Sequence, residues 1–166
     1  MENMPIMAQA LADAVGARKR QVQIWTDAGI LRCLSGTDRQ GRGKQRLYDP
    51  SEKSFAALAA RMADVKTPIG DMSDWMRLIR GCAAKGDPKE GTPTEAYRTA
   101  LAGETDSWLV FARKRALTWS EDFGWVLNKK DLDELLISQP SVVVVNVVVT
   151  MKEMHRRGSR ISCQSR

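Results

Sequence analysis

The chain has little metal or redox chemistry to offer. Its one histidine, His155, lies near the end, and the three cysteines, Cys33, Cys82 and Cys163, are scattered with no CxxC pair. An odd set of isolated thiols argues against a disulfide framework and for a reducing compartment. A single imidazole without a ligand-spaced neighbour argues against a zinc site, so no metal and no cofactor are expected. Catalytic motifs are missing as well. No glycine-rich loop leads into Lys-Ser/Thr, there is no HExxH, and no histidine is placed to serve a nucleophile. Glu121, Asp122, Asp131, Asp133 and Glu134 are clustered acids, but beside Lys129 and Lys130 they suit a solvated helix face. An enzyme is not expected. The longest near-continuous apolar run, 142–149, holds eight residues, whereas a membrane-spanning helix needs about 20. The first residues lack the cationic start and apolar core of a signal peptide. The expected location is the cytoplasm, with no membrane partner.

What the chain does have is located charge. Hydrophobic residues make up 43% and charged residues 28% of 166, an ordinary globular composition with room for one core or two. The net charge is +6, and it is unevenly placed. Residues 16–46 carry eight bases against two acids, and residues 150–166 carry five against one. Residues 1–15 and 47–149 are each slightly acidic. Basic charge concentrated at two places favours a polyanionic partner.

The stretch 11–48 organises the first half. After a loose lead-in over residues 1–6, Met7, Leu11, Ala14 and Val15 recur at helical spacing and predict a short amphipathic helix. Gly16 ends it, because glycine can take the left-handed conformation of a sharp turn. A second helix, 18–27, opens with Arg18, Lys19 and Arg20. At 100° per residue Gln21, Val22, Trp25 and Ala28 fall on one side, with Lys19, Arg20 and Gln23 on the other. Gly29 stops this helix, and Ile30, Leu31 and Leu34 begin an extended segment. Gly36, Asp38, Gln40, Gly41 and Gly43 make the following stretch turn-forming. The expected result is a β-hairpin whose tip carries Arg39, Arg42 and Lys44, cations able to reach phosphates or a minor groove. Asp49-Pro50-Ser51 starts a third helix with Ser51 as cap, Glu52 at its positive end and Phe55, Leu58, Ala59 and Met62 as its buried stripe. Pro68 and Gly70 interrupt, and a fourth helix over 72–84 buries Trp75, Met76, Leu78, Ile79 and Cys82.

This order of pieces resembles the DNA-binding domain of MerR-type regulators, whose winged helix-turn-helix is shared with phage excisionases and some small terminase subunits. The similarity covers residues 7–86. It rests on LADAVG, on VQIWTDAGIL, on QRLYDP after the hairpin and on Thr67-Pro68-Ile69 before Trp75. The resemblance implies that Arg18, Lys19, Arg20 and Gln23 meet the major groove or its phosphates, joined by Arg39, Arg42 and Lys44 from the wing. It also implies a phosphate clamp from Arg46 and Tyr48. Three departures stand out. Gln23 occupies a place where the family has arginine, Ala17 and Arg18 leave the second helix without a Ser, Thr or Asp cap, and no long coiled-coil helix follows.

A linker at 87–93 separates this domain (1–86) from an α+β unit (94–155) to which the resemblance does not extend. A short helix over 94–102, strands at 107–112 and 123–127, and a helix from an Asn128 cap to Ile137 with Leu132, Leu135 and Leu136 inward are expected. The run 142–149 predicts one more strand, buried on both faces because it does not alternate. Asn146 within it is expected to be a satisfied core amide, or else a registry or ligand-binding group. Residues 156–166 are expected to be a basic disordered tail. The fold class is therefore α+β, a winged helix-turn-helix followed by a small, mainly antiparallel sheet. Few strands and open edges predict a homo-oligomer formed through the C-terminal domain. The function expected is that of a double-stranded-DNA-binding transcriptional regulator of bacterial or phage origin. The alternatives are an architectural or packaging DNA-binding protein, and an interaction adaptor whose helix-turn-helix no longer binds DNA.

Overall fold

In the computed structural model the described residues are 4–38, 45–84, 99, 101–103, 108–112, 123–126, 129–138 and 142–164. The fold is α+β, and the chain divides into two compact units. One is Met1–Ser73 with Glu153–Arg166, the other Asp74–Lys152.

The first unit begins with strand β1 (Ile6–Met7), followed by helices α1 (Ala8–Val15) and α2 (Lys19–Asp27). Strand β2 (Leu47–Tyr48) and helices α3 (Glu52–Asp64) and α4 (Ile69–Ala84) come next, α4 continuing into the second unit. Helix α1 packs on both α2 and α3. Leu11, Ala12, Val22, Ile30, Tyr48, Leu58 and Met62 are fully buried here, each large aliphatic side chain contributing about 1.5–3 kcal/mol by leaving water.

The lead-in is a strand rather than loose chain: Ile6 and Met7 pair antiparallel with Tyr48 and Leu47. Met7 therefore lies outside α1, and at 53% exposure it is not part of the buried stripe. Extended pairing on the far side starts at Cys33, which bridges to Tyr48, instead of at Ile30. Thr37 ties the two arms together, its hydroxyl donating to the Leu34 carbonyl at 2.7 Å and accepting from the Leu47 amide at 3.2 Å. The hairpin tip with Arg39, Arg42 and Lys44 lies outside the described residues.

Two helix starts differ from expectation. Ser51 does not cap α3. Asp49 accepts from both the Ser51 amide (2.9 Å) and the Ser51 hydroxyl (2.6 Å), a local turn that sets the helix going. Those two bonds hold the Asp49 carboxyl below its ordinary value. Helix α4 starts at Ile69, ahead of Gly70, because the Pro68 carbonyl accepts from the Met72 amide at 3.0 Å. Trp75, Met76 and Ile79 are buried as expected, but Leu78 is 41% exposed, and Phe55 on α3 is only half-buried.

The second unit contains strands β3 (Trp108–Ala112) and β4 (Phe123–Val126), helix α5 (Lys129–Ser138) and strand β5 (Val142–Asn146). The sheet order is β4-β3-β5, antiparallel throughout. Val110 sits opposite Gly124 on one side and Val144 on the other. Helix α5 packs on β4. Its Lys129, Lys130, Asp133 and Glu134 are exposed, as a solvated face requires. Of the predicted helix at 94–102, Thr99, Leu101 and Ala102 are helical. Asn128 and the linker at 87–93 lie outside the described residues.

The largest correction falls on the valine run. The strand stops at Asn146 and helix α6 (Val147–Gln164) begins at once, so the tail expected to be disordered is helical to Gln164. Asn146 makes the switch. Its Oδ1 accepts from the Val149 amide at 3.0 Å, while its carbonyl accepts from the Thr150 hydroxyl at 2.7 Å. It is thus a helix cap, neither a core amide nor a registry group. Val147, Val148, Met151 and Met154 are buried at helical spacing, whereas Val149 is 49% exposed. Their burial outweighs the valines' modest helix penalty, well under 1 kcal/mol apiece.

Candidate nucleic-acid interface

The geometry of α2 is set by how both helices around it end. Gly16 adopts φ 71°. The Ala17 amide then bonds the Ala12 carbonyl at 2.9 Å and the Gly16 amide bonds Asp13 at 3.3 Å, closing α1 in a two-bond left-handed turn. Gly29, at φ 74°, ends α2 the same way, with Ile30 bonded to Trp25 at 2.8 Å and Gly29 to Thr26 at 3.0 Å. Only Arg18 and its neighbours separate the first turn from the second helix, so α2 departs at a fixed angle.

The uncapped start of α2 is repaired from within. Arg18 is extended (φ −88°, ψ 146°), and its amide donates to Gln21 Oε1 at 2.8 Å. Gln21 thus satisfies one of the exposed N-terminal donors. The reciprocal half of a capping box cannot form, because an arginine side chain has no acceptor. Sequence reasoning put Gln21 on the apolar side. The signal for its real role was its place three residues after the residue that opens the helix.

Val22 and Trp25 anchor the inner face of α2 at 0% and 3% exposure. On the outside, Arg18, Lys19 and Arg20 are exposed, Gln23 is half-buried, and Ile24 is exposed at 41%. Ile24 went unassigned in the sequence, yet with Arg20 and Gln23 it forms the outward row at i, i+3 and i+4. No described carboxylate pairs with Arg18, Lys19 or Arg20. Three cations at the positive end of a helix dipole repel both it and one another. A bound anion relieves both repulsions and takes up the free amides of the first turn.

Arg46 and Tyr48 do not stand with that cluster. Arg46 Nη2 is 2.6 Å from Asp27 Oδ1, and the side chain is 15% exposed. The bond to Asp27 raises the Arg46 pKa further, although burial opposes it. Tyr48 is fully buried, with its hydroxyl 2.8 Å from the Thr26 hydroxyl, which itself donates to the Val22 carbonyl at 2.8 Å. Burial pushes the Tyr48 pKa up. Both residues strap the hairpin base to the last turn of α2, through the Arg46–Asp27 ion pair and the Tyr48–Thr26 hydrogen bond. Arg32, exposed on the hairpin arm, went unassigned; its amide donates to the buried Glu52 carboxylate at 3.0 Å.

Among the described residues no group of His, Cys, Asp and Glu is placed to hold a metal ion, and no helix is long and apolar enough to cross a membrane. Compared with protein-family models and with curated protein sequences, the chain matches none.

Proposed function

We propose that the first unit is a winged helix-turn-helix that binds double-stranded DNA, with α2 as the reading helix and the hairpin over residues 33–48 as the wing. The reading makes the protein a transcriptional regulator of the MerR-like kind. The observation that carries it is the exposed cluster Arg18, Lys19 and Arg20 at the start of α2, which no carboxylate among the described residues pairs with, opposite the Val22 and Trp25 anchor. Such an arrangement is unfavourable alone and favourable against phosphate. Gln23 is suited to adenine and Ile24 to a thymine methyl in the major groove. Arg39, Arg42 and Lys44 add phosphate contacts from the wing, while Arg46 and Tyr48 act as positioning residues.

Five or six cations on phosphates give a log–log salt slope of about −4.5 to −5.4. The test is fluorescence anisotropy on a random-sequence duplex across a salt series, with the Lys19→Ala/Arg20→Ala variant alongside. The expected outcome is steep salt dependence that the variant flattens. Weak, salt-independent binding by both proteins would rule out a DNA-binding role.

A further inference from the structure

The basic end of the chain is the second place where charge concentrates, and it belongs to the same unit as α2. Helix α6 is held to that unit at defined points. Glu153 forms an ion pair with Arg61 of α3, and Met154 is buried at 7% exposure. One helical turn further on, the Arg157 guanidinium lies over Gly16 so closely that any side chain at position 16 would strike it. Helix α1 has no cation in its own last turn. Arg157 takes that place at the negative end of the α1 dipole. Gly16 is two residues before Arg18, within about 7 Å along the backbone. Arg156 and Arg157 both remain exposed, and no described carboxylate pairs with either.

We infer that the C-terminal half of α6 is a third DNA-contacting element, in which Arg156 and Arg157 continue the Arg18, Lys19 and Arg20 cluster across the α1–α2 turn. Their partner is the duplex phosphate backbone on the flank of the groove that α2 enters. The inference rests on the reading of α2 as a DNA-contacting helix. Guanidinium groups suit the task because each offers a planar fork of donors to phosphate oxygens. Contacts of this kind carry no sequence information; they add affinity and fix orientation.

The test uses the full chain and a random-sequence duplex, with binding followed by anisotropy across a salt series and thermal melting followed by circular dichroism. Four proteins are compared: the wild type, Lys19→Ala/Arg20→Ala, Arg156→Gln/Arg157→Gln, and the single variant Arg156→Glu. Arg156→Glu changes an exposed residue and guards against a loss caused by misfolding. The expected result is that the double glutamine variant binds about tenfold more weakly on every sequence, with a salt slope shallower by nearly 2. Arg156→Glu should weaken binding with an unshifted melt. If both α6 variants bind with the wild-type affinity and slope while the Lys19/Arg20 variant loses them, the inference is overturned and the α2 reading stands. A lowered melting temperature with unchanged DNA binding would likewise overturn it, leaving Arg157 as a cap for α1. Flat, weak binding by the wild type itself would remove the α2 reading, and this inference with it.

Discussion

Tyr48 is held both by packing and by a single hydroxyl contact. Its ring is fully buried at the centre of the β1–β2 pair, and its hydroxyl meets Thr26 at the end of α2. Removing that hydroxyl in Tyr48→Phe leaves Thr26 its bond to Val22, so the cost is one hydrogen bond, about 1 kcal/mol. A fall of about 2–4 °C in melting temperature is expected. Burial raises the phenol pKa in the folded state above its unfolded value. The associated stability is thus complete below about pH 10 and is lost as pH rises towards the folded value. Urea titrations at pH 8 and pH 10.5 check both statements, since the alkaline loss must shrink in the phenylalanine variant.

At the scale of elements, α1 and α2 were legible in the chain because two independent signals agreed: apolar spacing marked their inner faces and Gly16 and Gly29 marked their ends. Both glycines do take the left-handed conformation. The start of α2 was less legible, because Gln21 reaches back to its own helix and such a bond looks like any polar residue in sequence. The valine run hides its change from strand to helix for a related reason. Seven valines of high strand propensity say nothing of a switch in period, and the single asparagine among them decides it through its local hydrogen bonds. Asn146→Ala should therefore cost about 1 kcal/mol, with Asn146→Gly closer to the wild type. Chemical denaturation followed at the far-ultraviolet helix signal measures the difference. Equal stability of all three proteins would show that the cap contributes nothing. The candidate site was legible as charge, not as geometry. The order Arg18, Lys19, Arg20 was visible, whereas the return of Arg157 to Gly16 joins residues far apart in the chain and leaves no local trace.

At the scale of the whole molecule, β4 and β5 are the outer strands of the described three-stranded sheet. Unpaired strand edges invite further pairing. We propose that two copies associate through this unit and so present two reading helices to related half-sites. Sedimentation equilibrium at micromolar concentration should give a dimer, and Val144→Lys on β5 should weaken it, since a lysine on an edge strand opposes pairing. A monomer at every concentration would refute the association. The unit that carries α2 is itself discontinuous, begun by Met1–Ser73 and finished by Glu153–Arg166. Arg61 and Glu153 are 92 positions apart, and closing a flexible loop of that length costs about 4 kcal/mol of chain entropy. A partly exposed ion pair returns no more than about 1 kcal/mol, so buried groups such as Met154 must supply the remainder. On the ribosome the nascent chain therefore exposes α1, α2 and α3 long before α6, which contributes to the same unit, is synthesised.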